Sequence, residues 1–244
     1  MDAYTTFAQV YDLFMDNVPY EEWSEYLLSV LKEYGIHSGV ICDLGCGTGK
    51  MTRLLAQAGY DMIGVDLSED MLTIASEQNE DGILYLCQDM CELELYGTAK
   101  AMISVCDSIN YLLEEDEIIW TLQSVNRYLE PGGIFIFDFN TVYKYETVLG
   151  ENREEGSFIW ENYYDKEEQI NEYDLTLFIR EEKQEQLYRK FEETHYQRGY
   201  SLEQMQTFVE EAGMEFLAAY DAETKQAPTA ESERIYIIAG EKGK

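Results

Sequence analysis

Residues 40–49 read Val-Ile-Cys-Asp-Leu-Gly-Cys-Gly-Thr-Gly. A short apolar run, Val40–Leu44, leads into glycines at 45, 47 and 49. An apolar run of this length bounded by a turn signal is the pattern of a strand buried on both faces. Alternate glycines let the chain turn tightly and let backbone approach a ligand. A helix is expected next, over 49–58. In an open parallel sheet, such a strand–loop–helix unit binds its ligand at the carboxyl end of the strand. Two familiar glycine motifs do not fit. The dinucleotide pattern G-x-G-x-x-G needs a third glycine at 50 or 52, where Lys50 and Thr52 stand. The phosphate loop G-x-x-x-x-G-K-[ST] fails because Leu44 occupies its first position and Met51 follows Lys50.

Outward from this loop the same alternation continues. Upstream, Trp23, Tyr26, Leu27, Val30, Leu31 and Tyr34 recur at helical spacing over 20–34, and Gly35 closes that helix. Downstream, Tyr60–Val65 reads as a second strand, with Ser68 placed to cap a helix. Ile83–Cys87 and Ala101–Cys106 read as further strands, 114–129 as a helix closed by Pro131-Gly132-Gly133, and Ile134–Phe139 as a fifth strand. Short apolar strands alternating with helices imply a parallel sheet covered on both faces. After about residue 150 the pattern changes. Phe158–Tyr164, Ile170–Ile179 and Gln186–Tyr196 interleave aromatic and polar residues, the signature of antiparallel strands. Ser201 with Gln204 forms a capping box for a helix to about Gly213, and strands near 214–221 and 233–240 close the chain. The expected organisation is a core of 1–149 and 198–244, interrupted by an antiparallel insertion at 150–197.

Asp43-Leu44-Gly45-Cys46-Gly47-Thr48-Gly49, D-x-G-x-G-x-G after the first strand, resembles motif I of the class I S-adenosylmethionine-dependent methyltransferases. Four further elements follow in that family's order: Gly64-Val65-Asp66-Leu67-Ser68, Gln88-Asp89-Met90, Ile103–Tyr111 and Pro131-Gly132-Gly133. The resemblance implies an α/β fold, a Rossmann-like seven-stranded methyltransferase sheet whose last two strands form a reversed hairpin, with the 150–197 insertion as substrate cap. It also implies S-adenosyl-L-methionine as cofactor. Asp43, Gly45, Cys46, Gly47 and Gly49 would form the loop beneath it, and Asp66 with Leu67 would meet the ribose. A carboxylate at 66 can accept from both ribose hydroxyls. Asp89 and Met90 would meet the adenine, and Cys106 would be a further cofactor contact. The segment Phe7–Asp12 with Val18–Trp23 is similar to a bacterial subgroup related to glycine N-methyltransferases and amino-sugar N,N-dimethyltransferases. In that subgroup a tyrosine near the place of Tyr11 approaches the methionine part.

Methyl transfer from a sulfonium needs alignment of the acceptor, exclusion of water and, for some acceptors, removal of one proton. On the acceptor side the candidates are Asn110 and Tyr111 after the fourth strand, Asp138 after the fifth, and Trp160 and His195 in the insertion. His195 and Tyr11 are the candidate catalytic residues, since a neutral imidazole is a general base near neutral pH.

Composition narrows the acceptor. The 244 residues carry a formal charge of −32 and show no Lys/Arg cluster, which disfavours nucleic acid. An acidic field keeps a protein soluble and concentrates cations, so a small-molecule acceptor, in particular an amine, is expected. Methylation of a protein or tRNA, or a non-catalytic cofactor-binding regulator, are the alternatives. No apolar run approaches the roughly 20 residues that span a bilayer, and the N-terminus lacks the pattern of a signal peptide, so a cytoplasmic monomer or homodimer is expected. Five cysteines without a signal argue for free thiols, and no metal site is expected.

Overall fold

The computed structural model describes residues 19–78, 82–147, 153–155, 158–180 and 188–244. Its first element is helix α1, Tyr20–Glu33, which buries Leu27, Val30 and Leu31 along one face. Strand β1, Val40–Leu44, feeds the glycine loop and helix α2, Lys50–Gln57. Next come β2, Asp61–Asp66, and α3, Glu69–Glu77, capped by Ser68 Oγ accepting from the Met71 amide. Then follow β3, Leu84–Cys87; β4, Ala99–Ser104; α4, Glu115–Tyr128; and β5, Leu129–Asn140. Short 3-10 turns occupy Met90–Glu92 and Ser108–Tyr111. A short helix α5, Val142–Thr147, follows β5. The chain ends with α6, Leu202–Glu211, and strands β10, Glu215–Asp221, and β11, Arg234–Gly240.

These strands make one seven-stranded sheet in the order β10-β11-β5-β4-β1-β2-β3. β11 runs antiparallel to β5 and β10, which is the expected reversed hairpin. The other pairings are parallel. Alternation along each strand divides the core between the two faces of the sheet. Cys42, Leu44, Phe135, Phe137 and Phe139 pack with α4 and α6. Ile41, Ile103, Ile134, Ile136 and Ile238 pack with α1 and α2. The order reverses between β1 and β4, so the carboxyl ends of those strands open a crevice, the place where such sheets bind ligands.

The segment that breaks the alternation forms a second, four-stranded antiparallel sheet: β6, Arg153–Glu155; β7, Phe158–Asp165; β8, Ile170–Arg180; and β9, Tyr188–Arg198. The structure corrects three details of the sequence reading. Pro131-Gly132-Gly133 lies within β5 and not after the helix, at a register shift against β4 where Gly132 takes φ +77. β4 ends at Ser104, because Cys106 and Asp107 both turn into left-handed backbone. The short elements α5 and β6 carry too few residues to show a period.

Candidate functional site

The glycine loop spans β1 and α2, with φ +72 at Gly45, +53 at Gly47 and +75 at Gly49. The three glycines are needed for two different reasons. A Cβ on Gly45 would stand 2.6 Å from Ser108 Cβ, and one on Gly49 would stand 2.4 Å from the Tyr85 hydroxyl. A Cβ on Gly47 would meet nothing within 4 Å. Gly45 and Gly49 therefore press against the protein, and Gly47 presents bare backbone to open space.

Asp66 ends β2 and reaches back to this loop. Its Oδ2 accepts from the Gly47 amide at 2.7 Å and its Oδ1 from the Ser68 amide at 2.9 Å. Two of about four lone-pair positions are thereby used, leaving acceptor capacity on the open side. Burial raises the Asp66 pKa, and amides of Ser68, Gly47 and Leu67 oppose that rise. Behind the loop, Asp43 is fully buried and accepts from Thr52 Oγ1 at 2.6 Å. Burial pushes it up to about 7, the Thr52 hydrogen bond lowers it, and the Asp66 charge raises it. Cys46 is a buried thiol, raised by desolvation. Leu67 is exposed beside Asp66, and Asp89 caps the 90–92 turn through the Cys91 amide at 2.8 Å. Met90 Cε lies 3.5 Å from a Cβ built on Gly45, so Met90 also borders the loop. A cavity of about 650 Å3 extends from Asp89 past Cys91 and Glu94 to Trp120 and Arg127.

The carboxyl end of β4 is held by ions. Asp138 Oδ1 accepts from the Asp107 amide at 2.7 Å and its Oδ2 from the Cys106 amide at 3.3 Å. Arg234, from β11, bridges Asp138 at 3.0 Å and Asp107 at 2.6 Å. Two consecutive non-glycine residues with positive φ are costly backbone, and this network holds them in place. Ser108 Oγ donates to the Val105 carbonyl at 3.0 Å and lies 3.3 Å from the Gly45 carbonyl, so the turn rests on the glycine loop.

Two of the expected acceptor-side residues do not face open space. Asn110 is fully buried. Its amide donates to the carbonyls of Asn140 at 2.9 Å and Arg198 at 2.7 Å, and its oxygen accepts from the Asn140 amide at 2.8 Å. It joins β5 and β9 to the 108–111 turn. Asp138 is likewise fully buried and committed to the turn and Arg234. Tyr111 and His195 do come together. Tyr111 is partly exposed; His195 Nδ1 lies 3.3 Å from its hydroxyl, and the Tyr173 hydroxyl 2.6 Å from it. His195 stacks on Tyr173 at 4.8 Å and places Nε2 3.3 Å from Glu193 Oε2. A carboxylate accepts only, so Nε2 donates to Glu193, and in the neutral ring Nδ1 accepts from Tyr111. Burial raises the Tyr111 pKa, with Tyr173 opposing and the charges of Asp107, Glu193 and Asp66 adding to the rise. Tyr11 lies outside the described residues. The backbone of Trp160 pairs with Leu175 in the second sheet, and its side chain lies outside the described residues. Among the described residues no group of three His, Cys, Asp or Glu is placed to hold a metal ion.

Several members of the site carry no sequence motif. Glu193 and Gln197 share the inward face of β9 with His195 by the two-residue period. Gln197 donates to Asp107 Oδ2 at 2.7 Å and accepts from the Tyr145 hydroxyl at 2.8 Å. Its spacing from His195 was the only available signal. Arg234 stands 127 residues from Asp107, beyond any local pattern.

Comparisons with known proteins agree with this arrangement. Residues 41–133 match a methyltransferase domain model. A Geobacillus sp. (strain WCH70) protein, named as a putative methyltransferase, is 35% identical and is covered over 99% of its length by 97% of this chain. The Streptomyces venezuelae dTDP-3-amino-3,4,6-trideoxy-alpha-D-glucopyranose N,N-dimethyltransferase is 29% identical over 54% of this chain and 56% of its own. A crystal structure of an S-adenosylmethionine-dependent methyltransferase from Clostridium acetobutylicum superposes with a TM-score of 0.87 at 27% identity, covering 99% of this chain and all of the other. With the glycine loop, Asp66 and the reversed hairpin in the places this fold requires, the chain belongs to the S-adenosylmethionine-dependent methyltransferases.

Proposed function

We propose that this enzyme transfers the methyl group of S-adenosylmethionine to nitrogen or oxygen of a small molecule, with an amine nitrogen favoured, between the carboxyl edge of the main sheet and the second sheet. The observation that carries it is the meeting of Tyr111 and His195, one from the 108–111 turn whose Ser108 lies against the glycine loop and one from the insertion. The open backbone at Gly47 and the spare lone pairs of Asp66 fit a ribosyl group, and exposed Leu67 offers an apolar surface for a base. When bound, the cofactor supplies an electrophilic methyl carbon on a good leaving group.

The chain's own residues then have limited tasks. The loop and Asp66 orient the donor. The second sheet, tied down through Gln197–Asp107 and Asn110–Arg198, covers the crevice and excludes water. Tyr111 borders the acceptor, and His195 Nδ1 takes the Tyr111 proton as Tyr111 receives one from the acceptor. Glu193 Oε2 holds the opposite ring proton and stabilises the imidazolium that forms. The amino-sugar dimethyltransferase relative supports nitrogen as the acceptor atom. The charge of −32 supports a cation in the approach field and disfavours tRNA. Among the described residues no helix is long and apolar enough to cross a membrane, and we place the reaction in the cytoplasm.

Calorimetric titration with S-adenosylmethionine, S-adenosylhomocysteine and NAD tests the cofactor. Binding of the first two and not of NAD is expected; NAD binding alone would reject the reading. Turnover of S-adenosylmethionine against matched pools of amines and alcohols tests the acceptor atom.

A further inference from the structure

Resting on the methyltransferase reading, we infer that the acceptor carries an anionic group, carboxylate or phosphate, which seats in the cavity lined by Lys144, Lys225 and Arg234. This cavity holds about 400 Å3, a volume suited to a small molecule, and has Trp23 as its aromatic wall. It adjoins the proposed site through Arg234, whose guanidinium holds the Cys106–Asp107 turn and lies 5.2 Å from the Trp23 ring.

Three of only 17 Lys and Arg residues converge here, in a chain with 49 acids. Their depth matters more than their number. Lys144, Lys225 and Arg234 are half-buried, whereas the rim carboxylates Glu22, Glu223, Glu231 and Glu233 are exposed and solvated. Asp221 is already committed to the amides of Glu223 and Thr224. Arg234 has its two carboxylates. The two lysines form no ion pair among the described residues. Lys144 Nζ donates to Asn140 Oδ1 at 2.9 Å, a neutral partner that satisfies one of its three donors. Lys225 Nζ donates to the Ala222 carbonyl at 2.6 Å and sits over the rings of Tyr26 and Tyr236, at 4.0 and 4.7 Å.

Desolvation lowers the pKa of both lysines, and the charges of carboxylates nearby, Asp107, Asp138 and Glu233 for Lys144 and Asp138, Asp221 and Glu22 for Lys225, do not make it up. Their hydrogen-bond partners are neutral, so each ammonium keeps part of its desolvation cost, and an entering anion in direct contact relieves it. The two ammonium groups and the exposed acidic rim together also select. A small anion with an aromatic or cationic portion is accepted, whereas a polyanion meets four solvated carboxylates.

The test uses the full chain loaded with S-adenosylhomocysteine. Benzoate and phenyl phosphate are the anionic probes and benzyl alcohol the neutral one, each titrated by calorimetry. We expect at least one anion to bind and the alcohol not to. Its identity distinguishes carboxylate from phosphate. Lys144→Met should weaken anion binding about tenfold, and Lys144→Arg should retain most of it. Lys225→Met provides a second, independent loss should Lys144→Met fold poorly. Absence of binding by both anions, equal binding of the alcohol, or undiminished binding in the folded Met variants would overturn the inference. So would a loss of S-adenosylhomocysteine affinity in Lys144→Met without loss of 5′-methylthioadenosine affinity. That result would assign the cavity to the carboxylate of the cofactor. If S-adenosylhomocysteine fails to bind the wild type at all, the methyltransferase reading itself fails; binding intact with anions rejected defeats only this inference.

Discussion

At the scale of single residues, the three loop glycines are not equivalent, although their sequence spacing makes them look so. Gly45→Ala would drive a Cβ to 2.6 Å from Ser108, at a backbone angle that side chains resist. It should cost several kcal/mol, read as a large drop in melting temperature. Gly47→Ala keeps the same φ penalty, about 1–2 kcal/mol, but meets open space. Its main effect should be on cofactor affinity, measured by calorimetry, because the methyl group occupies the face that must approach the ligand. Asp66→Ala removes an acceptor for the ribose and also the partner of the Gly47 amide. A hydrogen bond to a charged group contributes about 1.5–3 kcal/mol, so S-adenosylhomocysteine affinity should fall at least roughly tenfold. Unchanged affinity in a folded variant would place the ribose elsewhere.

Among elements, the join between the two sheets separates structural from chemical roles. Asn110→Ala would strand two carbonyls and one amide that its side chain now satisfies. At about 1–3 kcal/mol per stranded buried group, stability should fall by roughly 3 kcal/mol or more, with cofactor affinity little changed if the protein folds. His195→Ala has the opposite profile: turnover should fall while cofactor affinity holds. A loss confined to melting temperature would make His195 a packing residue. The strands and helices of the main sheet were legible because their apolar positions follow periods of 2 and 3.6, and Ser68 and Ser201 carry plain capping signals. The antiparallel insertion was legible because its aromatic residues broke the alternating rhythm. Asn110 was misplaced because spacing puts it after a strand end, whereas the left-handed turn at Cys106–Asp107 rotates it inward. The Arg234–Asp138–Asp107 network and Glu193 were not legible, since long-range ion pairs and the partner of a histidine are decided by tertiary contact.

Over the whole molecule, charge and burial act in the same direction on stability. A net charge of −32 makes the compact state repel itself at neutral pH, and protonation on acidification relieves that repulsion. Added salt screens exposed charges at a Debye length of about 8 Å near 0.15 M. Asp43 adds a component that salt does not reach. Its folded pKa is raised from 3.8 to about 7, so the folded state binds a proton that the unfolded state has released over that interval. The contribution is therefore fully present below about pH 4, declines as pH rises, and is gone above about pH 7. Roughly three pKa units at about 1.4 kcal/mol each set its upper size on the order of 4 kcal/mol. The protein should accordingly melt higher at pH 5.5 than at pH 8, even in 0.5 M salt. Asp43→Asn keeps an oxygen for the Thr52 hydroxyl but cannot ionise. Its melting temperature should depend less on pH between 4 and 7 than that of the wild type, with the two curves parallel above pH 8. Melting curves recorded across this range at low and high salt separate the two contributions. Identical pH dependence in both proteins would show that Asp43 titrates at its ordinary value and that self-repulsion and the other carboxyls raised by burial, Asp66 and Asp138, set the profile.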